Sequence, residues 1–158
     1  MLAMQKICQA LVKYKLGHIK VGTPLAMDML APSFRIKSFP PSSTAFRDDI
    51  AQTIMKPMLE FLRRTESYFF MDVYPYFPYL FDVEQVPLEY AKFGQHNLNF
   101  TDPNGLMYTN LLDQQLDAAV AATRKSGSSS TLQGKIFMHP MHSTVTGSNS
   151  RTFIPIVT

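Results

Sequence analysis

The chain has 158 residues, of which 46% are hydrophobic and 17% are charged, a balance that argues against a disordered or fibrous protein. The formal net charge is +3 at pH 7, and the lysines and arginines are scattered, without the basic stripe that a nucleic-acid duplex requires. A single cysteine, Cys8, excludes an intramolecular disulfide and a multi-cysteine metal site. We therefore expect one folded domain with no nucleic-acid partner.

The N-terminal sequence predicts neither a membrane span nor a signal peptide. No segment reaches the roughly 18 continuous apolar residues of a membrane-spanning helix. The first 15 residues carry charges where a signal peptide has its apolar centre. We expect the chain to begin inside a domain, and the sequence leaves its localisation open.

The first predicted elements are a helix over residues 3–16 and a strand over residues 18–23. Apolar residues recur along the helix at helical spacing, and Gly17 follows as the expected C-terminal stop. The stretch HIKVGT is short and rich in branched residues, which is typical of a strand. Residues 24–43 contain several helix-breaking prolines and predict a long loop.

A second helix is predicted to start at Ser42, Ser43 or Thr44, any of which can cap it. Its expected apolar face recurs every four residues, at Phe46, Ile50, Ile54, Met58 and Leu62. Pro57 falls inside this helix, where a proline costs about 3 kcal/mol, so we expect a kink or a break there.

Residues 68–74 (YFFMDVY) predict the second strand, and residues 108–125 predict a third helix after a long loop. Strands separated by single helices cannot pair as hairpins, so they should lie parallel in an α/β sheet. Long loops after each strand fit an α/β barrel. A doubly wound sheet fits the pattern nearly as well, but VGTPLAMD lacks the phosphate-binding glycines usual after its first strand.

Six motifs in order give the chain a resemblance to a known family: IKVGTPLAMDMLAPSF, FPPSSTAFR, KPMLEFLRRT, DVYPYFPY, PLEYAKF and NFTDPNGLMYTNLLDQQLDAAVAA. Together, from Met4 to about Thr123, they resemble the plant endo-1,3-beta-glucanases of glycoside hydrolase family 17. The resemblance implies a partial (β/α)8 TIM barrel, from about the fourth helix to the sixth, acting on 1,3-beta-glucan without a cofactor. The family is typically secreted to the cell wall or apoplast.

The resemblance also implies two catalytic glutamates, one in an Asn-Glu motif and one in a Glu-Ser-Gly-Trp-Pro motif. Neither motif occurs in this chain, whose four glutamates are Glu60, Glu66, Glu84 and Glu89. Retaining cleavage needs two carboxyl groups about 5 to 5.5 Å apart, and none of these glutamates suggests such a pair. We therefore predict no catalytic residue here. The alternatives to an inactive partial glucanase are a glucan-binding remnant without catalysis and an unstable truncated product.

The aromatic stretch MDVYPYFPY supplies the candidate substrate-binding residues Asp72, Tyr74, Tyr76 and Phe77. In the functional interpretation the rings stack on pyranose faces while Asp72 and the tyrosine hydroxyls bind sugar hydroxyls. In the alternative, the rings only fill space beneath a neighbouring loop region, as most aromatic clusters do. The resemblance favours sugar contact for Tyr74 and Phe77. It favours Asp72 less, because the family often has asparagine there.

We divide the chain into a partial barrel, residues 1–125, and a divergent tail, residues 126–158. Twelve of the 33 tail residues are Ser or Thr, and we expect the tail to be disordered, without regular elements. Our hypothesis is that it derives from the wrong reading frame or from non-coding sequence, and that residues 35–39 (RIKSF) have a similar origin.

Two further sequence patterns, a histidine pair and a glycosylation sequon, could be functional or could occur by chance. His139 and His142 lie three residues apart with a proline between them and no third ligand, which indicates a chance pair rather than a metal site. Asn99-Phe100-Thr101 is an N-glycosylation sequon, which matters only for a secreted chain.

Overall fold

A computed structural model describes residues 1–31, 41–84, 86–92, 99–127 and 136–138. The helices are α1 Leu2–Lys13, α2 Asp48–Ile50, α3 Lys56–Arg64, α4 Tyr76–Phe81, α5 Leu88–Ala91 and α6 Leu111–Lys125. The strands are β1 Pro24–Ala26, β2 Phe69–Asp72, β3 Phe100–Thr101, β4 Met107–Tyr108 and β5 Ile136–Met138. A π-helical segment, Ala51–Met55, joins α2 to α3, and single 3-10 turns form at Met27–Met29 and Pro41–Ser43.

Strands β1, β2 and β5 form one sheet in the order β1-β2-β5, and both pairings are parallel. The prediction of an α/β fold with parallel strands is therefore confirmed. Strands β3 and β4 form a separate antiparallel hairpin.

The main core lies between this sheet and the helices. Its buried members come from α1, from the segments that flank β1, from residues 46–62, from β2 with the residue after it, and from α6: Met4, Val21, Met29, Leu30, Phe46, Met55, Met58, Leu59, Phe61, Leu62, Phe69, Met71, Val73, Leu116, Ala118, Ala119 and Ala122. Along β2, Phe69 and Met71 are fully buried, whereas Phe70 and Asp72 alternate with them and are half-buried. The register pairs Phe70 with Pro24 and Asp72 with Ala26, both exposed. In the described residues the helices therefore cover one face of the sheet.

The first strand begins later than predicted. Residues 18–23 form no strand, and β1 starts at Pro24. The backbone N–H of Val21 donates to the side-chain oxygen of Ser67, 3.2 Å away, at the point where a ladder bond would otherwise form. Gly22 passes so close to β2 that a Cβ there would lie 2.4 Å from the Phe70 ring. The chain thus runs beside β2 without pairing until Pro24.

The end of α1 also differs from the prediction, because Gly17 does not stop the helix. Helix α1 ends at Lys13, and Lys15 adopts a left-handed φ of 60°. The N–H of Leu16 donates to the carbonyl of Leu11 at 2.7 Å, which is the 6→1 bond of a Schellman cap. A lysine therefore has the role predicted for the glycine.

The second predicted helix is split. Its regular part begins at Asp48 rather than at a serine or threonine cap, and the π-helical segment lies directly before Pro57. The expected irregularity at Pro57 is confirmed, because the proline falls in the first turn of α3, where its missing N–H costs nothing. The wider π turn shifts the apolar face, so Ile54 is 50% exposed while Met55 is buried.

Helix α6 starts at Leu111, three residues after its predicted start. Asn110 caps it, because its side-chain oxygen accepts from the N–H of Asp113 at 2.9 Å. The β3–β4 hairpin before α6 was not predicted. Asp102-Pro103-Asn104-Gly105 makes its turn, with the N–H of Gly105 donating to the Asp102 carbonyl and a φ of 88° at Gly105. The motif D-P-N-G is the sequence signal that could have revealed it.

The prediction of a tail without regular elements is wrong for residues 136–138. Residues Ile136–Met138 form β5, which pairs in parallel with β2, so a regular element does exist after residue 126. Residues 128–135 and 139–158 lie outside the described residues, and so do residues 35–39. The boundary at residue 125 and the origin of the tail stay predictions.

Candidate functional site

The candidate site lies at the carboxyl end of β2, where the chain turns from strand to helix. Asp72 is the last residue of β2, and Val73 is buried in the main core behind it. Pro75 then takes the N-cap position with φ −57°, and α4 begins at Tyr76. The proline ring favours this helical φ and cannot donate to a sheet, so the strand ends and the side chains that follow gather at the sheet edge.

The four predicted residues Asp72, Tyr74, Tyr76 and Phe77 are called here the aromatic edge. Three of its members are in contact, because the Tyr74 and Phe77 ring centroids lie 5.6 Å apart at 79° and those of Tyr76 and Phe77 lie 5.9 Å apart at 58°. Tyr76 is 61% exposed and Phe77 is 41% exposed, while Tyr74 is half-buried. An edge-to-face cluster of this kind holds its rings in place and leaves two ring faces open to solvent.

Asp72 ends β2, two residues before the first of these rings, and has no charged partner in the part of the chain that the structure describes. It is half-buried on the face of the sheet that the helices leave open. Its oxygens can therefore accept hydrogen bonds from a ligand at this edge.

A second carboxylate, Asp28, follows the neighbouring strand and was not singled out from the sequence. It belongs to the 3-10 turn Met27–Met29, which begins directly after β1. Arg47 reaches this turn through its Nη1, which donates to the Asp28 carbonyl at 3.4 Å. Because Ala26 pairs with Asp72, the carboxyl ends of β1 and β2 bring both acids to one side of the sheet. The sequence AMD, which ends β1 and begins the turn, could have indicated this acid. It was missed because the first strand was predicted at residues 18–23.

Arg47 also forms an ion pair with Asp49, two residues further along the chain. Its Nη2 lies 2.6 Å from Asp49 Oδ2, and its Nε donates to Asp49 Oδ1 at 3.1 Å. This bidentate hydrogen bond keeps the pKa of the Asp49 carboxyl below its usual value. Arg47 therefore stabilises the loop after β1.

A tyrosine cluster lies under the loops that follow the aromatic edge; its buried members are Val86, Tyr90, Ala91, Tyr108 and Leu111. The Tyr90 hydroxyl donates to Gln114 Oε1 at 2.9 Å, and the Tyr108 hydroxyl donates to Asp117 Oδ2 at 2.8 Å. Both acceptors are on α6. Burial raises the pKa of Tyr90 to about 12, with a smaller contribution from the Asp113 charge. Burial also raises the pKa of Tyr108, together with the hydrogen bond to Asp117.

The glutamates are dispersed rather than gathered at the aromatic edge. Glu60 is exposed on α3, and Glu66 follows that helix at the amino end of β2, 3.9 Å from Lys20 Nζ. Glu84 lies in an exposed turn. Glu89 lies on α5 and pairs with Lys92 at 2.8 Å.

Within the described ranges, no group of three or more His, Cys, Asp or Glu side chains could hold a metal ion. His139 and His142 lie outside those ranges. None of the helices that the structure describes is long and apolar enough to cross a membrane. What the edge offers chemically is a pair of exposed ring faces beside an unpaired carboxylate, which suits a flat ligand with polar groups at its rim.

Comparison with known proteins identifies a family. Residues 1–134 match the sequence profile described as Glycosyl hydrolases family 17. The chain is 46% identical over 126 residues to "Probable glucan endo-1,3-beta-glucosidase A6" of Arabidopsis thaliana, an alignment that covers 79% of this chain and 25% of that protein. It is 38% identical over 129 residues to "Glucan endo-1,3-beta-glucosidase GV" of Hordeum vulgare, covering 80% and 38%.

A solved structure agrees with these matches. The beta-1,3-glucanase and allergen of Cryptomeria japonica pollen superposes with a TM-score of 0.75 and 34% identity over 86% of this chain and 39% of that chain. The chain thus spans between a quarter and two-fifths of the length of these relatives.

Proposed function

This chain belongs to glycosyl hydrolase family 17, and from that membership we propose that it is part of an enzyme that hydrolyses internal 1,3-beta-D-glucan linkages. In this proposal β1, β2 and β5 are three strands of a (β/α)8 barrel, and their carboxyl ends face the substrate cleft. The aromatic edge binds the glucan. The chain by itself binds without cleaving.

The observation that carries the proposal is the position of Tyr76 and Phe77. Both rings are exposed, and both follow a parallel strand at its carboxyl end, where Asp72 is the last residue. In α/β barrels the loops after the strands build the substrate site. Pyranose rings present axial C–H groups to an aromatic face and hydroxyl groups to carboxylates, so a glucan suits this edge.

The expected lack of cleavage rests on the carboxylates. Retention requires two carboxyl groups about 5 to 5.5 Å apart, one to protonate the leaving oxygen and one to attack. Glu66 lies at the opposite end of β2 from the aromatic edge, and Glu89 is engaged with Lys92. The loss of general acid and base alone removes a factor of about 10² to 10⁴ in rate.

The test combines a binding assay with a cleavage assay on purified, monodisperse chain. Sedimentation with insoluble 1,3-beta-glucan should retain the protein, whereas a 1,4-linked glucan should retain it less. Tyr76→Ala and Phe77→Ala should each weaken retention by about tenfold, since one stacked ring is typically worth about 1 kcal/mol or somewhat more. A reducing-sugar assay on soluble 1,3-beta-glucan should show no turnover.

Phe81→Ala is the matched control, because Phe81 lies on the same short helix and is 83% exposed but belongs to neither ring pair of the edge. Its retention should equal that of the unmodified chain. Turnover would contradict the proposed inactivity and would make Asp72 and Asp28 the first residues to replace. Monodisperse protein that neither binds nor cleaves would refute the binding role. Aggregation on expression would favour the unstable product.

A further inference from the structure

The β3–β4 hairpin has one buried face and one solvent face. Phe100 and Tyr108 are register partners whose ring centroids lie 6.4 Å apart, and both pack into the tyrosine cluster. Their neighbours alternate to the other side, because successive side chains of a strand point in opposite directions. Asn99, Thr101, Met107 and Thr109 are all exposed.

The solvent face therefore carries both ends of the sequon Asn99-Phe100-Thr101. Its middle residue packs inward, whereas Asn99, which directly precedes β3, and Thr101 are both exposed. The whole sequence contains no other Asn-X-Ser or Asn-X-Thr triplet. Asp102, not a proline, follows Thr101.

We propose that Asn99 is an N-glycosylation site and that its glycan stands on the solvent face of this hairpin. The donor is an oligosaccharide linked to a lipid pyrophosphate. A bond forms between the Asn99 side-chain nitrogen and the anomeric carbon of the sugar, and the bond between that carbon and the pyrophosphate oxygen breaks. The lipid pyrophosphate leaves, the amide loses one proton, and nothing is oxidised or reduced.

The hairpin suits a bulky modification for two reasons. A glycan on Asn99 displaces no buried side chain, because Asn99 is exposed. Met107, the register partner of Thr101, is 62% exposed on the same hairpin. A polar glycan that covers this methionine would reduce the apolar surface open to water, as surface glycans commonly do. The inference does not depend on glucan binding.

The experiment expresses the full chain behind a cleavable secretion leader in a eukaryotic host, so that it meets the transferase. Intact mass spectrometry should show one N-linked oligosaccharide, removed by an endoglycosidase that cleaves at asparagine. Asn99→Gln and Thr101→Ala should abolish the added mass, and Thr101→Ser should retain it. Asn110→Gln is not used as a control, because Asn110 caps α6. Asn104→Gln changes another loop asparagine and should leave the glycan in place.

Amide hydrogen exchange on the glycosylated chain tests the geometry separately. Protection of β4 and the first turn of α6 should be unchanged after enzymatic removal of the glycan. A chain that is cleaved from its leader and secreted without added mass would overturn the proposal. Added mass that persists in Asn99→Gln, or loss of β4 protection in the glycosylated chain only, would overturn it as well.

Discussion

The main core and the tyrosine cluster are built on different physical principles. The main core consists of Phe, Met, Leu, Val and Ala side chains from five regions of the chain. The tyrosine cluster is smaller, and two of its five buried members direct hydroxyl groups to α6. Non-directional apolar contacts stabilise the main core, whereas the tyrosine cluster also depends on specific hydrogen bonds. Substitutions in the main core and substitutions in the tyrosine cluster should therefore change the stability of the protein by different amounts.

The hairpin beside the tyrosine cluster contains a buried carboxylate. Asp102, at the start of the hairpin turn, is 2% exposed, and neither carboxylate oxygen has a hydrogen-bond partner among the described residues. Its charge contributes to the raised pKa of Tyr108. A buried carboxylate without a partner costs free energy, so the hairpin turn is a local weakness of this region.

The largest expected effect comes from the main core. Phe69→Ala removes a fully buried ring from the centre of β2 and should lower the free energy of unfolding by about 3 to 5 kcal/mol, measured in urea. Ile54→Ala is the matched control, since Ile54 is 50% exposed, and it should change stability by about 0.5 kcal/mol or less. Equal losses in the two variants would contradict the packing assigned to the main core.

A smaller and more local loss should follow from Tyr108→Phe. The substitution removes a hydrogen bond to the Asp117 carboxylate and keeps the ring, so the expected loss is about 1.5 to 3 kcal/mol. Hydrogen exchange should accelerate most in β4 and the first turns of α6. Tyr14→Phe changes a tyrosine that is 72% exposed and should have no effect. If exchange accelerated equally in β2, the two regions would be one cooperative unit.

Alkaline pH should weaken the tyrosine cluster before the main core. The pKa of Tyr90 is raised in the folded state from 10.0 to about 12, so the unfolded chain loses this proton first. The stabilisation is complete below pH 10 and is lost as the pH rises through 12, at about 1 kcal/mol per pH unit between those values. Urea unfolding of Tyr90→Phe between pH 9 and 12 should lack this component, and an identical pH slope in both proteins would contradict it.

The smallest expected effect is a gain in stability. Asp102→Asn removes a buried charge at a turn position that also suits asparagine, so stability should rise by about 1 kcal/mol. The pKa of Tyr108 should fall only slightly, because burial and the hydrogen bond to Asp117 raise it more than the Asp102 charge does. Asp82→Asn replaces a less buried acid and should give no such gain. A loss of stability in Asp102→Asn would mean that the carboxylate has a partner in the folded protein.

The sequence predicted the α/β class and the parallel strands, because amphipathic periods and crossover lengths are local properties. It also singled out Tyr74, Tyr76 and Phe77 as candidate site residues, and the structure brings their rings into contact. Their binding to a sugar stays a prediction. It did not predict Asp28 at the same side of the sheet. That acid comes close only through the pairing of β1 with β2, whose partners are 46 residues apart.

The sequence by itself determined what neighbouring residues decide: the helical periods, the irregularity at Pro57, the sequon, the aromatic stretch and the motifs that resemble a family. The tertiary structure decided where β1 begins, which side of the α2–α3 region faces the core, and where the buried tyrosine hydroxyls bind. Val21 meets Ser67, and Tyr90 meets Gln114, across 46 and 24 residues. Hydrogen bonds over such separations depend on the packed arrangement of the whole domain, and no local pattern records them.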